Sequence, residues 1–465
     1  VLRHAVLIHV HSIAWYALAV ALAGLLYRHL INKPWVAGLA ALMFAVDHSH
    51  GLLASWIAQR NALVAGAFSL CALLFQHHRR AWLAALSFGL ALFSAEAALG
   101  VIPYLVAYAL FLDERRLRSL LPYTAPLLVW FVAYKLGHHG VSASGLYVDP
   151  AHQPVQFLKN AAAHAPVLVA TELGMPATDV YAFLPWPAKA AVVVVSVLLI
   201  VAFARAIAPL FRRDPSTRFF VTGAVLSVLP ACAAIPGGRL TFFASFGIVG
   251  ALAQLLGAWR DGEWAPRRLE LPVVYWSGLG HVFLSPLAFL LAMNQMTMLD
   301  QLMIRNANGV PNVPELAHQR LVVVNAPNAT FLAYLGIILA DRGDYAPERI
   351  LAMAAGVRPL ELVRVDDHTL LLSSPIALVQ PGTDLLARAA TPFAVGYRVV
   401  FSDVTIEITK IDRDGWPTEA RFTFASPLDG PALRFMQWKD QTLAPLTLPA
   451  NGGRVTFPAQ QVQLF

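Results

Sequence analysis

The chain from Phe44 to Val64 reads FAVDHSHGLLASWIAQRNALV and sets polar residues between two apolar runs. Its polar part runs from Asp47 to His50 and from Ser55 to Asn61, and we call residues 47–61 the polar knot. Ionisable groups at membrane depth or at the membrane edge are costly unless they are paired or hydrated. Because the flanking runs read as lipid-embedded helices, the polar knot is predicted to be a functional site.

The composition predicts a polytopic α-helical membrane protein. Of 465 residues, 58% are hydrophobic and only 13% are charged, and the mean hydropathy is +0.60. A soluble domain of average usage is far less apolar. The net charge of +7 does not point to nucleic acid, because the basic residues fall in short clusters between apolar runs. Cys71 and Cys232 are predicted to lie toward opposite faces, so we expect no disulfide.

Apolar runs of bilayer length give about ten predicted spans. The fourth and fifth could be one long helix, but we adopt a hairpin that turns at Ser94 to Glu96 because it preserves the charge alternation described below. The predicted spans are residues 5–27, 35–52, 56–76, 81–95, 97–112, 119–136, 188–204, 219–235, 240–258 and 271–293.

Basic residues distribute unequally between the two sets of loops. One side carries fourteen lysines and arginines and the other carries Arg60, Lys135, Lys159 and Arg239. The positive-inside rule makes the richer side cytoplasmic. The polar knot, Glu96, the loop 137–187 and everything after Asn294 are then predicted to face outward. We therefore expect a multi-pass protein of the plasma (inner) membrane with an extracytoplasmic C-terminal domain.

Two domains are predicted, a transmembrane helical domain over residues 1–293 and an extracytoplasmic α+β domain over residues 300–465. Strand-like alternation marks the second as β-rich, as at residues 321–324, 399–401, 404–408 and 421–424. A helix is predicted from Ala329 to Asp341, with Asn328 as its cap. No catalytic motif is recognisable in this domain.

The outer loop 137–187 is long enough to predict a role. It contains Tyr147, Asp149, His152 and a predicted amphipathic helix from Pro154 to Leu173. The modest interpretation is a lid on the membrane surface over a cleft, and the bolder one is a groove for an acceptor or a lipid tail.

Four segments resemble motifs of GT-C glycosyltransferases related to the tetratricopeptide-containing transmembrane O-mannosyltransferases. The polar knot is similar to a segment written roughly F-A-x-H-P-x-H-x-E-A-V-A-W-I-x-x-R-x-x-L-L, which His50, Trp56, Ile57 and Arg60 match. The other three matching segments are His4 with His11 for H-x-x-N-x-x-x-H, Ser94 to Ala98 for S-K-E-x-A, and Gly238 to Gly247 for D/E-R-Y-L-Y-x-P-S-x-G.

The chain also departs from that family. Asp47 stands where the family has His, Leu52 where it has Glu, Ala95 where it has Lys and Gly238 where it has an acid, and the tetratricopeptide repeats are absent. The family's catalytic acid lies in the first extracytoplasmic loop. Since the chain starts at Val1 with a span predicted to run inward, we expect an upstream span and loop that carry this acid.

The resemblance implies transfer of a sugar, as in a mannosyltransferase, from a polyprenyl phosphate to an acceptor of the cell envelope. Whether this chain is an enzyme then depends on the upstream loop. The implied partners are the polyprenyl-phosphate-linked sugar, membrane lipid and an unknown acceptor, with no nucleic acid. The alternative is a non-catalytic membrane scaffold or fragment whose soluble domain binds an envelope partner.

Transfer from a lipid phosphate requires cations for the phosphate and a base for the acceptor's proton. Arg60 and Arg239 are the predicted phosphate-binding residues, because arginine grips phosphate bidentately; the alternative for both is an interfacial anchor. The catalytic candidates are Asp47, His50 and Glu96, and the supporting residues are His48, Trp56 and His11. No cofactor or metal is predicted, although Asp47 and His50 would share a helix face and could form a divalent-metal pair.

Overall fold

The structure is a computed structural model that describes residues 5–140, 147–175, 178–182, 184–268, 270–326, 329–379 and 393–460. The chain divides into two compact units. The first comprises Val1–Ser142 and Tyr147–Met296, and the second includes Thr297–Phe465. Asn328 and His4, which carried a predicted helix cap and a motif match, lie outside the described residues.

The first unit is built from α-helices joined by short turns. Its 3-10 turns are His48–His50, Ile57–Gln59, Glu96–Val101, Arg116–Leu120 and Gly238–Leu240. The helices are α1 (Ala5–Leu30), α2 (Pro34–Ala45), α3 (Gly51–Ser55), α4 (Arg60–His77), α5 (Ala81–Ser94), α6 (Ile102–Phe111), α7 (Leu121–Leu136), α8 (Pro154–Thr171), α9 (Thr178–Tyr181), α10 (Trp186–Arg213), α11 (Pro215–Ala231), α12 (Phe242–Arg260), α13 (Leu271–Leu279) and α14 (Ser285–Asn308), of which the part from Thr297 onward belongs to the second unit.

Within the described residues, six helical segments are long and apolar enough to cross a membrane. A seventh candidate arises if Pro34–Ala45 and His48–Ser55, bent by 41°, are counted together. Ala81–Ser94 and Glu96–Phe111 are apolar but shorter. The helices are thus those of a membrane-associated protein, and the number of ten spans stays a prediction. The six segments are Val6–Leu30, Ile57–His77, Arg116–Leu136, Trp186–Arg213, Phe242–Arg260 and Leu271–Asn308.

The break predicted between the fourth and fifth apolar runs is present. Helix α5 ends at Ser94, and Ala95 has an extended backbone with φ −165° and ψ 150°. Beyond it, α6 packs against α11, whereas α5 packs against α4 and α7. One continuous helix over this region is therefore excluded, and the two halves have different packing partners.

Loops predicted to be cytoplasmic meet at one end of this unit. The Lys33 ammonium lies 2.6 Å from an Asp261 carboxylate oxygen and joins the α1–α2 turn to the end of α12. The rings of His29 and His77 lie 5.0 Å apart and bring the ends of α1 and α4 together. These contacts group chain segments that the charge pattern had assigned to one side.

Loops predicted to face outward meet at the other end of α1. Arg60 Nε donates a hydrogen bond to Ser12 Oγ at 3.1 Å, which ties the polar knot to the start of α1. The Gly238 amide donates to Asp179 Oδ1 at 2.8 Å, which ties the turn before α12 to the loop after α8. The polar segments of the first unit therefore gather at one end.

The predicted helix in the outer loop is present as α8, but the lid interpretation is wrong for its C-terminal part. Residues 167–171 are all buried, and α8 packs against α10 and α11. Only the first part of the helix has the mainly exposed side chains of a surface segment. Because the last turn is apolar on all sides, it enters the helical unit instead of lying over it.

The last apolar run is longer than predicted. Helix α13 passes through a π-helical turn, Gly280–Leu284, into α14, which continues to Asn308. The boundary predicted near residue 300 therefore falls inside a helix. Leu302, Met303 and Ala307 are buried, so apolar residues at helical spacing carry α14 past the point where the composition changes.

The second unit contains two β-sheets and the helix α15 (Ala329–Arg342). A four-stranded sheet has the order β2-β1-β8-β9, with β1 parallel to β2 and β8. A six-stranded antiparallel sheet has the order β10-β3-β4-β7-β6-β5. The four predicted strands overlap β1, β5, β6 and β7. The strands are β1 (Arg320–Ala326), β2 (Arg349–Ala355), β3 (Leu360–Arg364), β4 (Thr369–Ser373), β5 (Arg398–Val400), β6 (Val404–Ile411), β7 (Pro417–Phe424), β8 (Leu433–Lys439), β9 (Thr442–Pro445) and β10 (Arg454–Phe457).

Candidate functional site

The polar knot folds as a series of short turns between α2 and α4. Asp47 has an extended backbone and caps the turn His48–His50, because its Oδ1 accepts a hydrogen bond from the Ser49 amide at 3.0 Å. A short polar side chain that accepts from the amide two residues on is the usual way to start such a turn. Asp47 and His50 therefore stand on a 3-10 turn, not on one face of an α-helix as predicted, and both are fully buried.

The Asp47 carboxylate is enclosed by polar side chains from other helices. Ser245 of α12 donates its hydroxyl to Oδ2 at 2.6 Å. His48 Nδ1 lies 3.4 Å from Oδ1, and His281 Nε2 lies 3.9 Å from Oδ2. A buried carboxylate needs hydrogen bonds and a compensating charge. Asp47 accepts two hydrogen bonds, from the Ser49 amide and the Ser245 hydroxyl. The neighbouring side chains that can carry a positive charge are the imidazoles of His48 and His281.

Glu172 follows α8 directly and is also fully buried. Its nearest polar neighbours are the side chains of Asp47, Thr241 and Ser49. Among the described residues, none donates to either carboxyl oxygen with hydrogen-bond geometry. Burial, and next the neighbouring Asp47 carboxylate, raise the pKa of Glu172 well above its usual range.

The segment that carries Glu172 packs against α13, the helix that precedes His281. Ser277 of α13 donates its hydroxyl to the Leu173 carbonyl at 3.0 Å. Gly174 has φ +95°, and a side chain there would start 3.0 Å from Trp276 Nε1. Glycine thus permits both the left-handed turn and the close approach of the two segments.

His281 is the second residue of the π-helical turn and is 1% exposed. Its Nδ1 lies 2.9 Å from the Ser277 carbonyl oxygen. Because a carbonyl can only accept, Nδ1 carries the proton, and Nε2 presents a lone pair. No described residue hydrogen-bonds to Nε2, which faces Asp47.

Asp47, Glu172 and His281 form one buried group, in which one ligand atom from each residue lies within 4.8 Å of the other two. They come from the polar knot, the end of α8 and the π-helical turn. We call these three residues the acid–histidine cluster. Two carboxyls and an imidazole at these distances can exchange a proton or hold a cation.

Arg239 lies beside the polar knot with a free guanidinium. It stacks on Trp56, with its central carbon 5.6 Å from the ring centroid. A Cβ built on the preceding Gly238 would lie 3.5 Å from Ser49 Cα, so this turn packs directly on the knot. Within the described part of the chain, no hydrogen bond or ion pair engages the half-buried guanidinium.

Arg60 is partly occupied by contacts within the first unit. Its Nε donates to Ser12 Oγ, and a terminal nitrogen donates to the Ile8 carbonyl at 3.2 Å. These bonds fix the start of α4 against α1. The remaining donors of the guanidinium leave room for one further acceptor.

The other predicted site residues lie apart from the cluster or beside it. Glu96 is exposed and lies near Tyr134. His11 is exposed on α1 and accepts a hydrogen bond from Trp15 Nε1 at 3.0 Å. His48 lies beside the cluster, and its amide donates to Ser285 Oγ at 2.8 Å. The structure thus brings His48 to Asp47 and does not bring Glu96 or His11 there.

Sequence reasoning missed Glu172 and His281. His281 is the only histidine, acidic or basic residue in the predicted span 271–293. An ionisable residue within an apolar run is the same signal that indicated the polar knot. Glu172 is the only acidic residue between Asp149 and Asp179, directly after an apolar run. Both signals were present, but neither indicates that the two residues meet Asp47.

Comparison of the chain with protein-family models, with curated proteins and with solved structures finds no match. Function is therefore inferred from the motifs in the sequence and from the geometry of this site.

Proposed function

We propose that this chain is the membrane part of a GT-C-type glycosyltransferase, which transfers a sugar from a polyprenyl-phosphate donor to an acceptor at the outer face of the membrane. The observation that supports this most directly is the guanidinium of Arg239, which stacks on Trp56 beside the polar knot and has no hydrogen bond or ion pair to a described residue. A lipid phosphate requires a cation of this kind near its headgroup, close to a group that can accept a proton.

In the proposed reaction, the bond between the sugar's anomeric carbon and the phosphate oxygen breaks. The electron pair leaves with the polyprenyl phosphate, whose negative charge Arg239 and Arg60 stabilise. The acceptor's oxygen bonds to the anomeric carbon, and its proton passes to a carboxylate base. Asp47 is the candidate base.

The same proposal includes the number of membrane spans and the orientation of the chain in the membrane. With about ten spans in the plasma membrane, the end of the first unit that carries the polar knot and Arg239 faces outward. The second unit then lies outside the cytoplasm. The concentration of basic residues on the opposite set of loops supports this orientation.

The test uses the full chain in nanodiscs with polyprenyl-phosphate mannose as the probe. We expect Arg239→Ala to weaken probe binding at least tenfold, because the donor phosphate loses a charge-assisted contact worth about 1.5–3 kcal/mol. The matched control is Arg260→Ala. Arg260 also stacks on a tryptophan, Trp35, at 4.5 Å, but at the end of α12 away from the knot.

Equal binding by the wild-type protein, Arg239→Ala and Arg260→Ala would contradict the proposal and leave both arginines as anchors. The scaffold alternative would then be the better account. Transfer itself is measured as release of polyprenyl phosphate by the full-length protein. No release would rule out the enzymatic role.

A further inference from the structure

We infer that Asp47, Glu172 and His281 bind one divalent metal ion. The three side chains supply two carboxylate oxygens and one imidazole nitrogen, which are standard ligands for divalent ions in proteins. They converge from three separate segments of the chain, and all three are buried. This inference concerns ion binding and does not depend on the proposed transfer reaction.

The distances between the ligand atoms are compatible with binding to one shared ion. With bonds of about 2.1 Å to an ion, two ligands lie roughly 3 Å apart when adjacent and about 4.2 Å apart when opposite. His281 Nε2 and Asp47 Oδ2 are 3.9 Å apart, and every pair within the group is within 4.8 Å. A pair that is 4.8 Å apart must close by up to about 1.8 Å to become adjacent ligands of one ion, which rotation of the two carboxylate side chains can supply.

The hydrogen bonds around the imidazole have the arrangement of a metal ligand. A ligating histidine usually donates its other ring N–H to a carboxylate or a backbone carbonyl, which fixes the ring and leaves one lone pair for the metal. His281 Nδ1 donates to the Ser277 carbonyl at 2.9 Å, and Nε2 faces Asp47 without a hydrogen-bond partner among the described residues. The π-helical turn at Gly280–Leu284 is a rare element that is frequent at functional sites.

The unused acceptors give an independent reason to place a cation here. Both oxygens of Glu172 are buried, and no described residue donates to either of them in hydrogen-bond geometry. Leaving such groups unsatisfied costs about 1–3 kcal/mol each and more for a charged group. A metal ion satisfies these atoms and Nε2 of His281 at the same time.

A divalent ion also balances the charge of the two carboxylates. Ionised Asp47 and Glu172 carry two negative charges, which one divalent ion neutralises within a site closed to solvent. Arg60, the one arginine of the polar knot, donates to Ser12 and Ile8, and no ion pair joins it to either carboxylate.

The ligand atoms favour Mn²⁺ or Zn²⁺ among the divalent ions. Carboxylate oxygens suit Mg²⁺, Ca²⁺ and Mn²⁺, whereas imidazole suits zinc and other transition metals. A set of two carboxylates and one imidazole is shared by Mn²⁺ and Zn²⁺. His48 and His50 also have a buried Nε2 without a hydrogen-bond partner among the described residues, but they stand beside the three-residue group.

The experiment measures ion binding by the full chain in detergent micelles, with no sugar donor present. After chelation and dialysis, the protein is titrated with Mn²⁺ and, separately, with Zn²⁺. We expect one ion per chain. Glu172→Gln and His281→Ala should each lower the affinity at least about tenfold. The matched control is Glu270→Gln, a buried glutamate at the other end of α13 whose carboxylate accepts from the Arg267 amide; it should bind as the wild type does.

A second measurement uses only the wild-type protein and so does not depend on whether the variants fold. Pulsed electron paramagnetic resonance of Mn²⁺ bound to the wild-type protein detects the nitrogen of a coordinated imidazole. We expect one such nitrogen. No bound ion in the wild type, equal affinity in all four proteins, or bound Mn²⁺ without a nitrogen ligand would each overturn the inference. Because no donor is used, these outcomes are separate from those of the transfer assay.

Discussion

His281 Nε2 lies 3.9 Å from Asp47 Oδ2, although the two residues stand on the last and the second apolar stretches of the helical unit. The contact requires a π-helical turn at one partner and a capped 3-10 turn at the other. Hydrogen bonds hold both turns, from His281 to the Ser277 carbonyl and from the Ser49 amide to Asp47. Glu172 completes the group from a third segment, and its position is what makes the site a candidate for chemistry.

Ser245→Ala removes the one hydroxyl among the described residues that donates to Asp47 Oδ2, from a distance of 2.6 Å. We expect the free energy of unfolding to fall by about 1–3 kcal/mol, because a buried carboxylate oxygen is left without its donor. The measurement is chemical denaturation in mixed micelles. Ser69→Ala is the matched control, since the Ser69 hydroxyl is buried with no hydrogen-bond partner among the described residues. A loss of equal size in both variants would contradict the assigned role of Ser245.

Gly174→Ala places a methyl group on a residue with φ +95°, about 3.0 Å from Trp276 Nε1. We expect a destabilisation of about 1–3 kcal/mol, from backbone strain together with displacement of the segment that carries Glu172. Gly262→Ala separates the two causes, because Gly262 has φ +73° and nothing within 4 Å of its added Cβ. Thermal unfolding of both variants measures the difference. If Gly262→Ala were as destabilising as Gly174→Ala, crowding against Trp276 would contribute nothing.

Asp214→Ala should destabilise the start of α11 by about 1 kcal/mol, because Asp214 accepts hydrogen bonds from the Ser216 and Thr217 amides. Burial acts to raise the pKa of Asp214, but the hydrogen bonds from Ser216 and Thr217 hold that pKa below its usual value. A carboxyl with a depressed pKa stabilises the folded state above its unfolded pKa of about 3.9, and that contribution is lost as the pH falls through the folded pKa.

The difference in unfolding free energy between wild type and Asp214→Ala should therefore be constant above about pH 5 and shrink in more acidic solution. Denaturant titrations at several pH values measure it. Gln153→Ala is the control, since Gln153 precedes α8 without a side-chain capping bond. A difference that grows on acidification would show that the Asp214 carboxylate does not stabilise the fold.

Local sequence patterns predicted many of the helices and some of the strands. Apolar runs predicted most of the helices, and the alternation of basic residues between loops predicted the break that the structure has at Ala95. The alternation of apolar and polar residues predicted β1, β6 and β7. The end of the last helix could not be located from composition, because α14 changes its packing environment without a helix-stopping residue between Met293 and Asn308.

The sequence by itself determined that this chain associates with a membrane through apolar helices, ends in a β-rich unit and carries an anomalous polar segment at Asp47. Only the tertiary structure decided that Glu172 and His281 join Asp47. The physical reason is that a periodic pattern specifies which side of one helix is apolar, whereas the meeting of three segments depends on how several helices pack. That packing is governed by contacts such as Ser245 with Asp47 and Ser277 with Leu173, which link residues far apart in the chain and leave no local signature.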